Sequence, residues 1–565
     1  MPRAVLQRAR VLELVGVPLS DAALEEILSI SKAELEAQEP ETLTVSVTPD
    51  RLDLLTEGGL GLHLAGATDR AKGLPSARVV DGAAAAVAID VDPSVGAVRP
   101  AISAVVVRAP VDGALDEATL AEAVRYQELL HATVGRERRA ASLGIYPLER
   151  LSPPFRYALE PMRGVRFVPL DGSEEVGADA FFRDHPQAAR YGSLGRSDDR
   201  CLTIRDRQGT ILSLPPILNS RNGGEARVGD RELLLESTGA RERPVRESLG
   251  LLLVVFLSRG WGVAPVAIRS GSTAVSDGRE VFSPRAVDLG SATLHALSGT
   301  AYPSGEVERR LTRVRLGPRP HPGGWRVEVP PWRPDLQTEV DLCEDVILAQ
   351  AIEPADGIVP PSATRGRRRR ETVFRRRVAT DLLGLGFAAP YTSLLVSDSA
   401  VRRVEGAKPI RLANPPSAEF AFVRDRLLLS HLDVLARNTR HGYPQQFGEV
   451  GPVVVAEPGA ETGATTRYHA GTMIARDVAG FADAAAVLDY LVRAVDIVTV
   501  REPCEIPGTI PGRAARVRVA GEAVAELGEV HPAILAAIGV PVPVAWAELD
   551  LSRLYPLLAG PDTGL

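Results

Sequence analysis

The chain has 565 residues, of which 45% are hydrophobic and 24% are charged. These fractions are typical of a folded globular protein and exclude general disorder, and the length exceeds what one hydrophobic core holds, so we expect roughly three to five domains. The net charge of −7 excludes a whole-molecule attraction for a polyanion, so nucleic-acid binding must come from local patches.

Cysteine usage and hydropathy indicate a cytoplasmic protein. Cys201, Cys343 and Cys504 are far apart and form no CxxC pair, which excludes a disulfide framework and a cysteine-rich zinc site. The first residues contain arginines and lack the long apolar core of a signal peptide. The most apolar stretch, residues 251–257, is far too short to cross a membrane and predicts a buried helix or strand. We therefore expect no membrane segment.

The first half of the chain predicts several short elements. A helix is expected at residues 21–29, and residues 101–111 alternate as a strand should. The next helix has Asp116 as its N-cap and ends before Gly135. Short strands separated by Pro and Gly follow to about residue 240, and a helix from about 244 to 258 closes that unit.

The second half begins with a smaller α/β unit and continues through a linker-like segment, residues 354–370, into another α+β unit. The linker ends in the arginine run 367–370, which predicts either an RNA contact or a solvated face. Farther on, Leu428, Leu432 and Leu435 have helical spacing and predict a core or partner-binding face.

Four acidic residues cluster where a helix is expected to begin near residue 338. Asp341, Glu344 and Asp345 occupy one helical face, and Asp335 lies six residues before Asp341. Clustered carboxylates repel one another, and a hard cation such as Mg²⁺ would relieve that cost. The alternative is that acids in a first helical turn merely suit the helix dipole.

Residues 333–345 resemble the metal-bearing segment of the β subunits of phenylalanyl-tRNA synthetase, in their archaeal and eukaryotic form. The shared pattern is RPD-x5-DLxED. Other stretches resemble the same family in the same chain order, namely RLDLL at 51–55, SLGIYPLERL at 142–151, LSLPP at 212–216, LLLESTG at 233–239, FGEVG at 447–451 and GEVHP at 528–532. The resemblance spans nearly the whole chain.

The resemblance implies an α+β multidomain fold. Residues 1–90 would form an N-terminal module and 91–265 a β-rich editing-type domain. Residues 266–354 would form a small α/β domain with the acidic metal site, and 355–565 a class II synthetase-like core built on an antiparallel sheet.

The family attaches phenylalanine to tRNA, with ATP used by a separate α subunit, in an α2β2 assembly. This chain has neither the Gly-rich arginine motif of class II enzymes nor the HIGH and KMSKS signatures of class I. We therefore expect its partners to be an α subunit and tRNA. The resemblance implies that Asp335, Asp341, Glu344 and Asp345 hold Mg²⁺ at the subunit interface.

The resemblance also implies that the editing-type domain hydrolyses Tyr-tRNA, with Ser213, Glu236 and Thr238 as its site. Glu236 would accept a hydrogen bond from the tyrosine hydroxyl, which phenylalanine lacks. Ser213 and Thr238 would orient the substrate or a water. The alternative is that all three are ordinary strand-end polar residues. Two rival functions remain open, a free-standing aminoacyl-tRNA hydrolase and a non-enzymatic binding scaffold.

Overall fold

The computed structural model describes residues 2–80, 87–270, 273–349, 365–495 and 497–558. The chain divides into two compact units, residues 1–357 and 358–565. In the described part of the chain, no helix combines the length and the apolar character needed to cross a bilayer.

The first unit begins with a three-stranded antiparallel sheet in the order β1-β3-β2, packed with three helices. The predicted helix at residues 21–29 is confirmed, and the side chain of Ser20 caps it by accepting from the amide of Ala23. The elements are β1 (Arg3–Gln7), α1 (Arg8–Val15), α2 (Asp21–Ser29), β2 (Ala33–Gln38), β3 (Thr42–Val47) and α3 (Glu57–Ala67).

Two sheets with a shared core form the middle of the first unit. One is four-stranded and antiparallel in the order β15-β5-β14-β6, and the other runs β13-β12-β11-β7-β4-β16-β17, with β10 paired to β11. The strands of these two sheets are β4 (Ala88–Val91), β5 (Ala101–Arg108), β6 (Ala141–Pro147), β7 (Phe155–Pro161), β10 (Arg196–Ser197), β11 (Arg200–Arg205), β12 (Ile211–Leu214), β13 (Leu218–Asn219), β14 (Glu232–Gly239), β15 (Gly262–Pro265), β16 (Ala267–Ser270) and β17 (Thr273–Ser276). Between β7 and β10 in the chain, β8 (Arg166–Phe167) and β9 (Val176–Gly177) form a separate two-stranded sheet.

The helices around these sheets include both of the long helices that the sequence predicts. The side chain of Asp116 accepts from the amide of Thr119, which confirms the predicted cap. The apolar residues 251–256 are buried within a helix, and Leu257 at its end is half-buried. The helices are α4 (Glu117–Ala132), α5 (Ala178–Asp184), α6 (Pro186–Tyr191), α7 (Arg221–Gly224) and α8 (Glu242–Leu257).

The four-stranded sheet is buried on both faces. Leu233 and Leu235 of β14 face the core that contains α3, α4 and α8, whereas Leu234 faces the core shared with the larger sheet. The same alternation holds for Val105, Val106 and the rest of β5. Because successive side chains of a strand point to opposite faces, Glu236 of β14 lies on the side of the shared core.

A small three-stranded antiparallel sheet, in the order β18-β20-β19, completes the described part of the first unit. Its core contains Trp325, Leu311 and Leu342, which join the sheet to the helices beside it. The elements are β18 (Arg285–Gly290), α9 (Ser291–Ser298), α10 (Ser304–Arg313), β19 (Gly317–His321), β20 (Gly324–Val329) and α11 (Glu339–Leu348). The helix expected near residue 338 is thus confirmed.

The second unit is built on a six-stranded sheet in the order β24-β25-β29-β28-β27-β26, with every neighbouring pair antiparallel. The elements are α12 (Arg370–Gly384), β21 (Leu395–Val396), α13 (Asp398–Arg403), β22 (Ile410–Arg411), β23 (Phe422–Val423), α14 (Leu427–Arg437), β24 (Gln445–Ala456), β25 (Ala464–Ala475), α15 (Phe481–Arg493), β26 (Val500–Pro503), β27 (Thr509–Val519), β28 (Glu522–Val530), α16 (Pro532–Ala537), β29 (Val544–Asp550) and α17 (Leu551–Leu558).

Helices cover both faces of this sheet. Residues of α12, α15 and α17 pack on one face, and residues of α14 and α16 pack on the other. Leu428, Leu432 and Leu435 are buried in the second of these cores, so the predicted apolar stripe of α14 packs inside the unit. Of the two interpretations of this stripe, the core face is the one observed.

The predicted linker, residues 354–370, lies largely outside the described residues, apart from 365–370. Two arginines just after the run 367–370 make contacts inside the second unit. The guanidinium of Arg375 lies 3.6 Å from the ring centre of Tyr468, and Arg377 donates to the carbonyl of Ala494 at 3.1 Å. These two side chains therefore stabilise α12 against its own unit.

Candidate functional site

A cavity of about 190 Å³ lies beside β6, the edge strand of the four-stranded sheet. Ser213 and Glu236, two of the three predicted editing residues, line it together with Tyr146. Helix α4 and the segment Leu214–Asn219 supply most of the remaining wall. The fold thus brings together two residues that are 23 positions apart on β12 and β14.

Tyr146 connects the two predicted residues. Its hydroxyl donates to Oε1 of Glu236 at 2.8 Å and lies 2.9 Å from the hydroxyl of Ser213. The other carboxyl oxygen of Glu236, Oε2, is buried and has no hydrogen-bond partner in the described part of the chain. An unpaired buried acceptor is costly, so Oε2 is the atom of this group that is available to a ligand donor.

The titration of Glu236 is strongly affected by its surroundings. Burial disfavours the ionised carboxylate and raises the pKa of Glu236 to about 7, although the hydrogen bond from Tyr146 and the charge of Arg99 oppose this shift. Near neutral pH, both the ionised carboxylate, which only accepts hydrogen bonds, and the protonated carboxyl group, which can also donate one, are therefore populated. Perturbed carboxyl groups in clefts are typical of functional sites.

Thr238 occupies the same strand and face as Glu236, yet it makes different contacts. Its hydroxyl accepts from Nε of Arg99 at 3.1 Å and lies 3.1 Å from the hydroxyl of Ser142. Arg99 is buried and also donates to the carbonyl oxygen of Thr238 at 2.6 Å. The structure therefore places Thr238 in a polar network beside the cavity, whereas Ser213 and Glu236 line it.

Gly144 provides the space in which Tyr146 and Glu236 meet. A Cβ atom at this position would lie 2.2 Å from the Tyr146 hydroxyl and 2.7 Å from Oε1 of Glu236. Any larger residue would displace one of the two groups. The sequence predictions included neither Gly144, Tyr146 nor Arg99, and the pairing of β6 with β14 is what makes them neighbours.

His185, between α5 and α6, does not line the cavity and has a structural role. Its Nδ1 accepts from the amide of Gln187 at 3.2 Å and caps α6, and its ring stacks on Phe181 with 4.5 Å between ring centres. Both contacts fix the turn between α5 and α6.

The four predicted metal-binding acids separate into two groups. The first group contains Asp335 and Asp345, which share the buried guanidinium of Arg333. Nη2 of Arg333 donates to Oδ2 of each carboxylate at 2.8 Å, and Nε of Arg333 also donates to Asp335. The Arg333 charge prevails over burial at Asp335 and lowers its pKa, whereas burial prevails at Asp345 and raises its pKa.

Asp341 and Glu344 have other partners. Asp341 forms a capping box at the start of α11, where its Oδ2 accepts from the amides of Gln337 and Thr338 at 2.8 and 2.7 Å. Oε2 of Glu344 accepts from Nζ of Lys32 at 2.6 Å, and the same ammonium group pairs with Asp50. Lys32 is thus the nearest cation to this end of the cluster.

The four acids already have cationic or amide partners within the protein. Carboxylate oxygens suit Mg²⁺, but Arg333 and Lys32 already supply positive charge, and the α11 amides occupy Asp341. Among the described residues, no three Asp, Glu, His or Cys side chains are grouped closely enough to hold one metal ion. The arrangement does not fit a formed Mg²⁺ site, and the repulsion expected from the sequence is relieved by protein cations.

A second set of buried charged groups lies in the six-stranded sheet of the second unit. Nδ1 of His469 on β25 lies 2.6 Å from Oε1 of Glu548 on β29, and its Nε2 lies 3.5 Å from Asp550. Glu548 also accepts from the amide of Leu427 at 2.8 Å, which joins the start of α14 to the sheet. Burial opposes the charged imidazolium, but the two carboxylates outweigh it and raise the pKa of His469 to about 9.

This shift predicts a pH-dependent stability for the second unit. Because the folded pKa lies above the usual 6.5, the contribution is complete below about pH 6.5 and is lost as the pH rises through about 9. It amounts to roughly 3 kcal/mol. We expect hydrogen exchange of residues 464–475, corrected for intrinsic rates, to lose protection between pH 6.5 and 9.5.

The variant His469→Gln should remove most of that pH dependence, and His441→Gln, at an exposed position, should keep it. If the wild type and His469→Gln lost the same protection between pH 6.5 and 9.5, the charge on His469 would not be the source of the pH dependence.

Comparisons with known proteins agree with this architecture across both units. Residues 358–551 match the family described as the phenylalanyl tRNA synthetase beta chain CLM domain, and residues 287–350 match the tRNA synthetase B5 domain. The phenylalanine–tRNA ligase beta subunit of Korarchaeum cryptofilum is 28% identical, with 96% of this chain and 97% of the relative covered. The chain is similar to phenylalanyl-tRNA synthetase β chains over nearly its whole length.

Other phenylalanine–tRNA ligase beta subunits align over nearly their full length as well. The beta subunit of Archaeoglobus fulgidus is 27% identical, with 100% of both chains covered, and that of Thermococcus gammatolerans is 26% identical, with 98% of this chain and 99% of the relative covered. The crystal structure of an N-terminal fragment of the Pyrococcus horikoshii beta subunit shares the fold. It has a TM-score of 0.56 and 23% identity, and the alignment covers 62% of this chain and 99% of the fragment.

Proposed function

We propose that this chain is the β subunit of a phenylalanine–tRNA ligase, which supports the ATP-dependent attachment of phenylalanine to tRNA by a separate α subunit in an α2β2 assembly. The observation that carries the proposal is the extent of the similarity, since relatives with this function align over 96–100% of the chain. A free-standing hydrolase needs only the cavity-bearing part, whereas the similarity extends through the second unit.

The second unit acts as a class II synthetase-like core that docks rather than activates. Its six-stranded antiparallel sheet with helices on both faces supports this assignment. Residues 1–90, 91–265 and 266–354 form the N-terminal, editing-type and small α/β domains. Since the sequence lacks the ATP-binding motifs of both synthetase classes, the α subunit binds the ATP.

The cavity beside β6 hydrolyses Tyr-tRNA. The free Oε2 of Glu236 accepts a hydrogen bond from the tyrosine hydroxyl, and Tyr146 holds the carboxyl group in place through Oε1. Ser213, whose hydroxyl lies 2.9 Å from that of Tyr146, orients the substrate or an attacking water. Thr238 acts through Arg99, which it helps to hold. Phenylalanine would leave Oε2 unpaired, so the cavity selects tyrosine.

Magnesium binding by Asp335, Asp341, Glu344 and Asp345 stays a prediction. The donor atoms suit the ion, but binding requires Lys32 to release Glu344 and Arg333 to release at least one aspartate. Assembly with the α subunit is the event that could supply this rearrangement, because the resemblance sets the metal at the subunit interface.

Co-expression with the α chain from the same genome tests the proposed function. We expect the two chains to copurify and the complex to charge tRNA with phenylalanine, with little charging by either chain alone. A chain that recruits no α partner and supports no charging, yet hydrolyses Tyr-tRNA, is a free-standing hydrolase. A chain that does none of these is a binding scaffold.

A further inference from the structure

A large groove lies next to the loop that borders the Glu236 cavity. It encloses about 990 Å³. A second cavity of about 480 Å³ shares Arg243, Glu247 and Pro334 with it, so the two are neighbours and are treated together as the arginine groove. Five exposed arginines line this arginine groove: Arg136, Arg139, Arg241, Arg243 and Arg246.

The positive charge of the groove is largely uncompensated. The side chains of Arg136, Arg139, Arg241 and Arg246 make no hydrogen bond or ion pair within the residues that the structure describes. Exposed arginines without acidic partners along this groove form a local attraction for a polyanion.

Three of the four acidic side chains that line the two cavities are paired with a basic residue, and the fourth, Glu280, accepts a hydrogen bond from Ser276. Asp50 binds Lys32 at 2.8 Å, Glu247 binds Arg243 at 2.7 Å and Asp335 binds Arg333 at 2.8 Å. These three carboxylates therefore do not neutralise the unpaired arginines. This local excess of positive charge occurs in a chain whose net charge is −7.

One short loop connects the groove with the Glu236 cavity. Arg136, Glu137 and Arg138 have φ angles of 50°, 55° and 62°, a left-handed turn that three non-glycine residues rarely adopt in succession. Arg138 lines the Glu236 cavity and donates to the carbonyls of Pro216 and Ile217 at 3.1 and 2.9 Å. Arg136 and Arg139, on either side of it, line the groove instead.

We propose that the arginine groove binds the phosphates of the single-stranded 3′ end of tRNA and leads that end to the Glu236 cavity. The inference rests on the proposed function, because the aminoacyl ester that the cavity cleaves is carried by this strand. Since Arg138 lines the cavity while Arg136 and Arg139 line the groove, the two spaces lie on either side of one short loop. Arginines that contact phosphates position the strand without reading its sequence.

The test measures the binding of fluorescently labelled tRNA to the complex that copurifies with the α chain. The variant combines Arg136→Gln, Arg139→Gln and Arg241→Gln. We expect its affinity to fall about 10- to 100-fold near physiological salt. The slope of log K against log salt should decrease by about 2, since each lost single-strand phosphate contact contributes roughly 0.7.

A matched control combines Arg163→Gln, Arg196→Gln and Arg269→Gln. These arginines are also exposed in the first unit, and they line neither the groove nor the Glu236 cavity. The control carries the same change in charge and should bind tRNA as the wild type does. Circular dichroism and the midpoint of thermal unfolding should be the same for all three proteins.

A second probe, tRNA without its last four nucleotides, identifies the part of the RNA that is bound. The groove variant and the wild type should bind this truncated tRNA equally. If the groove substitutions weakened the binding of intact and truncated tRNA equally, the groove would contact the body of the tRNA, and the 3′-end assignment would be overturned. Unchanged affinity of the groove variant for intact tRNA, in a complex that charges phenylalanine, would overturn the inference and leave the proposed function intact.

Discussion

Replacing Glu236 with alanine should lower kcat/KM for the deacylation of Tyr-tRNA by roughly 10- to 200-fold, the cost of losing one hydrogen bond to a charged acceptor. The lost atom is Oε2, which is buried and unpaired until a ligand donor reaches it. The attachment of phenylalanine by the complex should be unchanged, because we propose that this reaction takes place on the α subunit.

The pH dependence of the same reaction identifies the role of the carboxyl group. Since burial raises the pKa of Glu236 to about 7, the acceptor form is lost as the pH falls through neutrality. Discrimination between Tyr-tRNA and Phe-tRNA should therefore decrease below about pH 7 in the wild type. In Glu236→Gln, which has no titrating group there, the ratio should not change with pH around 7.

The matched control is Glu232→Gln, on the same strand. Glu232 pairs with Arg108 at 2.7 Å and does not line the cavity, so its loss should leave deacylation unaltered. Tyr146→Phe should give an intermediate loss, because it removes the hydroxyl that contacts both Glu236 and Ser213. Full activity in Glu236→Ala would exclude this cavity as the tyrosine-recognising site.

Replacing Arg333 with methionine should lower the free energy of unfolding around α11 by about 3–5 kcal/mol. Arg333 is almost completely buried and pairs with Asp335 and Asp345, so its removal leaves two carboxylates close together without their cation. Hydrogen exchange of residues 317–348 in increasing urea measures the loss locally, which is preferable in a chain of two units.

The compensating variant combines Arg333→Met with Asp335→Asn and Asp345→Asn. It removes all three charges and should recover much of the lost stability, because the penalty comes from unpaired charge rather than from lost volume. If the single variant exchanged as slowly as the wild type, the guanidinium would contribute little and the carboxyl groups would be protonated in its absence.

Magnesium chloride distinguishes the two possible uses of these acids. In Arg333→Met, Mg²⁺ should bind the freed carboxylates of Asp335 and Asp345 and slow the hydrogen exchange of residues 317–348. The triple variant lacks these carboxylates and should show no such effect. If Mg²⁺ slowed hydrogen exchange of residues 317–348 in the wild type, and Asp341→Asn and Glu344→Gln each removed this effect, the four-residue site would be supported. No response in any of these proteins, alone or with the α subunit bound, would leave the four acids with a structural role.

Local patterns in the sequence predicted many individual elements of the fold. The helices at residues 21–29, 117–132 and 339–348 follow from caps and apolar spacing that lie within a few positions of each helix. The stripe of leucines on α14 predicted a buried face in the same way. Resemblance to a family added Ser213 and Glu236, which line one cavity.

The partners of the chemical groups depended on the tertiary structure, because they are far apart in the chain. Tyr146 meets Glu236 across 90 positions only because β6 pairs with β14. Lys32 contacts Glu344 across 312 positions and supplies positive charge that, on the sequence alone, we expected from a metal ion. Periodicity and caps act over one or two turns, so the sequence alone determined the elements and the types of reactive group. The packing of the sheets and helices decided which charges meet, and therefore which atoms remain available to a ligand.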